Sequence, residues 1–127
     1  MLIDSNIIII ASKLTNVEVL NYLRIHEKSL YVSIVSKIEV LGYHQLKQVE
    51  KEFLENFFNS IPVLQLDFAI AEKAIQLRQQ KPISLADSVL AATALVNDLT
   101  LFTDNTKDYA GIKGLKLLSV KEALIGK

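Results

Sequence analysis

The sequence has no cysteine and no tryptophan, and its 127 residues include only two prolines and four glycines. Without cysteine there is no disulfide framework, no thiolate metal site and no cysteine nucleophile, a pattern that suits a cytosolic protein. No Pro/Gly/Ser-rich stretch, internal repeat or low-complexity tract interrupts the chain, so nothing marks a linker. One compact domain over residues 1–127 is therefore expected. Long apolar runs are missing too: the longest early one, residues 7–11, is far short of the roughly 20 residues that cross a bilayer. Met1-Leu2-Ile3-Asp4 has no basic segment ahead of an apolar one, so no signal peptide is expected and the protein reads as soluble and cytoplasmic.

An excess of charge of either sign is also lacking, since 14 Lys and Arg balance 14 Asp and Glu. Nucleic-acid binders are often strongly basic because phosphate contacts need Lys and Arg. Neutrality counts against a stand-alone binding module. It counts less against a nuclease, whose metal-holding carboxylates lower the formal charge. Lys13, Arg24, Lys37, Arg78, Lys81, Lys107 and Lys113 are candidates for phosphate contact, although most such side chains are solvated surface. His26 and His44 stand alone and suggest no role. With no tryptophan and few other aromatics, no platform for stacking bases can be identified.

What the chain does have is a high hydrophobic content, 50%, enough for a substantial core. Its segments alternate in type. Residues 1–3 read as a short strand, followed by a helical stretch that includes 17–23. Residues 30–33 read as a strand and 34 to about 46 as a helix. An amphipathic helix spans 50–58, with Phe53, Leu54, Phe57 and Phe58 at helical spacing. Residues 62–66 follow as a strand and 68–80 as a helix, with Ala71, Ala74, Ile75 and Leu77 on its apolar side. Residues 84–97 form the most strongly patterned helix, and 99–103 and 115–118 close the chain as strands. Such alternation predicts an α/β three-layer sandwich, a mostly parallel central sheet flanked by helices.

Sites in open parallel sheets form beyond the carboxyl ends of strands. Asp4 directly follows the first strand and Asp104 directly follows residues 99–103, so both are expected at one sheet edge. Glu39 has Val35, Ile38 and Gly42 as helical neighbours, an apolar and small surface where burial of a carboxylate is costly unless it is paired or binds metal. It equally reads as an exposed residue beside Lys37 and Ser36. Asp87 heads a helix face that continues through Leu90, Ala91, Ala94 and Leu95. Ser84-x-x-Asp87 also approximates a capping box, and an acid in the first turn is favoured by the helix dipole. Asp104 reads as a candidate N-cap and Asp4 as a turn residue. Each position has a structural explanation by itself. Together, three or four carboxylates with no His or Cys cluster are the ligand set of hard cations such as Mg²⁺ or Mn²⁺.

These segments resemble the PIN-domain family, and within it the VapC-type toxins of toxin–antitoxin pairs. The resemblance covers nearly the whole chain. It rests on Leu2-Ile3-Asp4-Ser5-Asn6, on Ser36-Lys37-Ile38-Glu39-Val40-Leu41-Gly42, and on the run from Ser84-Leu85-Ala86-Asp87 to Ala94-Leu95. Leu101-Phe102-Thr103-Asp104-Asn105-Thr106-Lys107-Asp108-Tyr109 and Gly114-Leu115-Lys116-Leu117-Leu118 complete it. Each motif is weak alone; four in this order make the signal. The resemblance implies an Mg²⁺- or Mn²⁺-dependent endoribonuclease that hydrolyses RNA phosphodiester bonds. Asp4, Glu39 and Asp87 would be core metal ligands. Family members differ in which acid of the 103–109 segment serves, and here Asp104 comes first and Asp108 second. Asp4 and Asp87 would anchor an ion, Glu39 would position or deprotonate the attacking water, and Asp104 would complete the site. Thr103 and Ser5 would support it through hydrogen bonds. The resemblance further implies a homodimer and a cognate antitoxin, with DNA contacted only through that antitoxin.

Three other readings stand beside this one. A phospho-receiver domain also places aspartates at strand ends, but Asp4-Ser5-Asn6 offers no early acidic pair and no Lys follows residues 99–102. An RNA-processing nuclease of the same family would lack the antitoxin. A third is a partner-binding regulator with little nuclease activity, against which the retained carboxylates argue.

Overall fold

The computed structural model describes residues 1–13 and 16–125. The elements run β1 (Leu2–Ile3), α1 (Ser5–Ser12), α2 (Val17–Ile25), β2 (Val32–Ser33), α3 (Ile34–Leu41), α4 (Gln48–Ser60), β3 (Val63–Leu64), α5 (Phe68–Gln80), α6 (Leu85–Val96), β4 (Leu101–Phe102), β5 (Leu117–Leu118) and α7 (Val120–Ile125). Single 3-10 turns occupy Glu27–Ser29 and Thr106–Tyr109.

Every strand pairing is parallel. β1 pairs with β4 and β4 with β5, while β2 pairs with β3. A bridge between Leu2 and Tyr31 joins the two ladders, giving the order β3-β2-β1-β4-β5. The chain builds outward from β1 in one direction and then returns to build in the other. The boundary between β1 and β4 is therefore a topological switch point, where crossover helices leave on opposite faces and open a crevice.

Alternation along the strands divides the core into two layers. Ile3 and Phe102 face a cluster containing Ile7, Ile8, Val19, Leu23, Leu54 and Phe58. Leu2 and Leu101 face the opposite way, onto Ile70, Leu77, Val89, Leu90 and Tyr109. All four strand residues are fully buried, and each such side chain contributes about 1.5–3 kcal/mol. The expected three-layer α/β sandwich is thus observed, with a fully parallel sheet among the described residues.

Several boundaries differ from the expectation. The helical stretch after β1 is two helices, and α1 takes up the run of isoleucines at 7–10 that strand propensity would favour. Asp4 decides this locally, because its carboxylate accepts from the Ser5 amide and caps the helix. The helix expected to reach about residue 46 ends at Leu41. There the Gly42 amide donates to the Ile38 carbonyl at 2.8 Å, and a Cβ at Gly42 would lie 2.4 Å from that oxygen, a closeness only glycine tolerates. On α5 the buried residues are Ile70, Ala74 and Leu77, while Ile75 is 51% exposed. The strands at 30–33, 62–66, 99–103 and 115–118 shorten to two residues each, and α7 is an additional helix after the last strand.

The Ser84 hydroxyl accepts from the Asp87 amide at 3.1 Å, so the helix α6 starts where the capping pattern placed it. Ala91, Ala92 and Ala94 are buried, and their small side chains let α6 lie close to the sheet and to α5.

Candidate functional site

Asp4 stands at the carboxyl end of β1, where its amide donates to the Phe102 carbonyl of β4 at 2.9 Å. The residue is 6% exposed. Its carboxylate is satisfied by donors from three separate elements. The Ser5 amide of α1 donates to Oδ1 at 2.7 Å. The Thr103 hydroxyl, just past β4, donates to Oδ2 at 2.8 Å. The Tyr109 phenol of the 3-10 turn lies 3.0 Å from the same Oδ2.

That phenol oxygen is also 3.0 Å from Oδ1 of Asp87, in the first turn of α6. Two carboxylates therefore meet across one hydroxyl, brought together from sequence positions 4 and 87. Burial raises the pKa of Asp4 above the ordinary carboxylate value; bonds from Thr103, Tyr109 and the Ser5 amide oppose the rise, and the nearby Asp87 charge adds to it. Burial and the same two acids push the Tyr109 phenol well above its ordinary range, so it remains protonated.

Glu39 lies one hydroxyl farther out. It is exposed on α3, as the simpler sequence reading allowed, but its Oε1 accepts from Ser5 Oγ at 2.8 Å. Ser5 Oγ also lies 3.0 Å from the buried Ser36 Oγ. Beyond the site, Glu39 lines an apolar groove of about 290 Å³ with Ile9, Val40, Tyr43, Leu46 and Leu54.

The acids at the end of β4 are less engaged. Asp104 is exposed, and only its amide is held, donating to Asn6 Oδ1 at 3.3 Å. The turn that follows is capped by Asn105 without a side-chain bond, so Asp104 does not serve as its N-cap. Asp108 is exposed and its carboxylate has no hydrogen bond or ion pair among the described residues; its carbonyl accepts from Lys81 Nζ at 3.4 Å. Tyr109 is the residue of this segment that reaches the other acids. In the sequence it stands only as the last residue of the Thr103 to Tyr109 motif, an aromatic side chain closing a polar turn.

The donor set suits a hard cation. Neither Asp4 nor Asp87 has an ion pair with a Lys or Arg; among the described residues the ion pairs are Lys13–Glu50 and Lys116–Asp98. Two adjacent carboxylates, one of them desolvated, thus lack a positive partner, and a divalent ion bound by oxygen ligands fits that deficit. Among the described residues, no three acidic or histidine side chains converge closely enough to hold an ion by themselves. Asp4 and Asp87 are the acids that the fold brings together, with Glu39 linked to them through Ser5.

The sequence profile of the family described as PIN domain matches residues 1–113. Over 123 residues the chain is 26% identical to the tRNA(fMet)-specific endonuclease VapC of Shigella flexneri, covering 91% of this chain and 93% of that protein. Among solved structures, it is similar to a toxin–antitoxin complex from Klebsiella pneumoniae, with TM-score 0.71, 27% identity and coverage of 92% and 94% of the two chains. It also shares its fold with VapBC2 from Rickettsia felis bound to a DNA fragment from their promoter, with TM-score 0.81, 20% identity and coverage of 93% and 96%.

Proposed function

The chain belongs to the PIN-domain family, and on that premise we propose that it is a divalent-metal-dependent endoribonuclease, the toxin of a toxin–antitoxin pair. One observation carries the chemistry: Asp4 and Asp87 share the Tyr109 hydroxyl and have no cationic partner among the described residues. The family match sets aside the phospho-receiver reading.

Asp4 and Asp87 would hold a Mg²⁺ or Mn²⁺ ion, with Glu39 on α3 and Asp104 after β4 as the further acids that would complete the site. The chemistry such an ion supplies is charge neutralisation at the phosphodiester and a water acidic enough to attack it. The residues of the chain supply the rest. Thr103 and the Ser5 amide orient the Asp4 carboxylate, so the sheet edge would set the direction from which it meets the ion. Ser5 orients the Glu39 carboxylate, which would position the attacking water and take its proton. Asp108 is the second candidate of the same segment beside Asp104, since both carboxylates are exposed and neither is held by another side chain among the described residues.

The partners follow from the relatives. The matches to a toxin–antitoxin complex and to a VapBC assembly on promoter DNA support a cognate antitoxin for this chain, with DNA met through the antitoxin. A homodimer is part of the same reading. No helix of the described residues is long and apolar enough to cross a membrane.

The test is cleavage of defined RNAs by the purified protein with Mg²⁺, Mn²⁺ or EDTA, and with Asp4→Ala as control. Initiator tRNA is the first substrate to try, because the curated relative's name carries it. Metal-dependent cleavage lost in Asp4→Ala supports the assignment; cleavage that survives both EDTA and Asp4→Ala would exclude it. An antitoxin-like reading frame beside the gene, and co-purification of its product, would separate a toxin from an RNA-processing nuclease.

A further inference from the structure

The Tyr109 hydroxyl is 3.0 Å from one oxygen of Asp4 and 3.0 Å from one oxygen of Asp87. A phenol has a single proton, so it cannot fully satisfy two ionised acceptors at once. It sits equally near both, so the two oxygens it bridges are no more than twice that distance apart.

What places the hydroxyl is not the site but the core. Tyr109 is 1% exposed, and its ring packs in the cluster of Leu2, Leu77, Leu90 and Leu101. The chain on either side is pinned from outside: Lys81 Nζ donates to the Ala110 carbonyl at 2.8 Å and to the Asp108 carbonyl at 3.4 Å. The carboxylates are attached to different elements, β1 and α6, and repel each other. Asp87 is only partly buried, and among the described residues the Tyr109 hydroxyl is the one partner of its carboxylate, so without that bond it is free to turn toward water.

We propose that Tyr109 is a positioning residue, a strut from the core whose hydroxyl holds Asp4 and Asp87 together as a preorganised pair for a divalent cation. The proposal rests on the reading that these two acids bind the ion. It assigns a role to a residue that is neither an acid nor a ligand. Preorganisation of this kind is expressed in affinity, because a pair already in place need not be gathered when the ion arrives.

Tyr109→Phe keeps the ring and its packing and removes only the bridge. Titration calorimetry with Mn²⁺ alone, on the full chain, should show binding weaker by about 10- to 100-fold in Tyr109→Phe than in the wild type. Circular dichroism should show the variant folded. A double-mutant cycle of Tyr109→Phe and Asp87→Asn, measured by denaturant unfolding in EDTA, should be non-additive by at least about threefold in the unfolding constant. Unchanged or tighter Mn²⁺ binding in Tyr109→Phe, or an additive cycle, overturns the proposal. A wild-type protein that takes up no Mn²⁺ would instead overturn the metal reading and the cation role with it. The cycle, measured without metal, would then still decide whether the bridge holds the acids together.

Discussion

The Thr103 hydroxyl donates to Oδ2 of Asp4 at 2.8 Å, joining the ends of two strands whose residues are 99 positions apart. Through this bond the sheet itself orients the most buried acid of the site. Thr103 is fully buried and its hydroxyl also accepts from the Asn105 amide at 3.0 Å, so one side chain ties together the strand end, the acid and the following turn.

Thr103→Val keeps the shape and removes the hydroxyl. The loss should destabilise the fold by about 1–3 kcal/mol, because Asn105 loses an acceptor and a buried carboxylate a donor. Cleavage should fall by about 10- to 100-fold, as expected for a residue that orients a ligand. Thr103→Ser should restore most of both. Unfolding curves and initial rates on one RNA check this, and a Thr103→Val variant as active as the wild type would contradict the role.

Asp87→Asn should reduce cleavage by more than the roughly hundredfold typical of an outer partner. In EDTA it should be at least as stable as the wild type, because removing the charge relieves repulsion on Asp4. Thermal melts with and without Mn²⁺ provide the second readout: the wild type should gain stability on metal addition and the variant should gain little.

The pH dependence follows from Asp4. Burial raises its folded pKa above the ordinary 3.8, so within that window the folded state holds more protons than the unfolded one. Stability of the metal-free protein therefore falls as pH rises from the unfolded value through the folded one, and the full penalty applies above it. Asp4→Asn lacks this proton. Its stability relative to the wild type should increase with pH across that interval and level off beyond it. Denaturant unfolding in EDTA at a series of pH values tests the sign, and a difference that shrinks as pH rises would refute it.

Lys81→Met should loosen the turn that carries Tyr109 by removing the bonds to the Asp108 and Ala110 carbonyls. The ammonium is partly exposed, so the stability cost should be small, about 0.5–1 kcal/mol. Faster amide exchange across the Thr106–Tyr109 turn is the expected signature, with no change at β1 or in α1. An unchanged turn would show that core packing of the Tyr109 ring suffices.

Much of the fold was legible because its signals are local. The period of α5 and α6, the Ser84 cap and the apolar strands needed only neighbouring residues to be read, and α5 spans the residues its pattern marked. Residues 7–10 are isoleucines whose strand propensity competes with the helix expected there; the Asp4 cap and burial against α2 and the sheet make them a helix. Ile75 fits the apolar spacing of α5 yet faces outward, because Ile70, Ala74 and Leu77 are the side that meets α6.

The sequence by itself determined where the candidate acids stand: after strand ends and in a helix's first turn, with no histidine or cysteine cluster to rival them. That much follows from residue type and spacing. Only the tertiary structure decided how those acids relate. It set Asp4 beside Asp87, linked Glu39 through Ser5, left the carboxylates of Asp104 and Asp108 exposed, and placed Tyr109 between the first two. The reason is physical. A hydroxyl's reach is about 3 Å, and which groups fall within it depends on strand order and core packing, neither of which local spacing encodes.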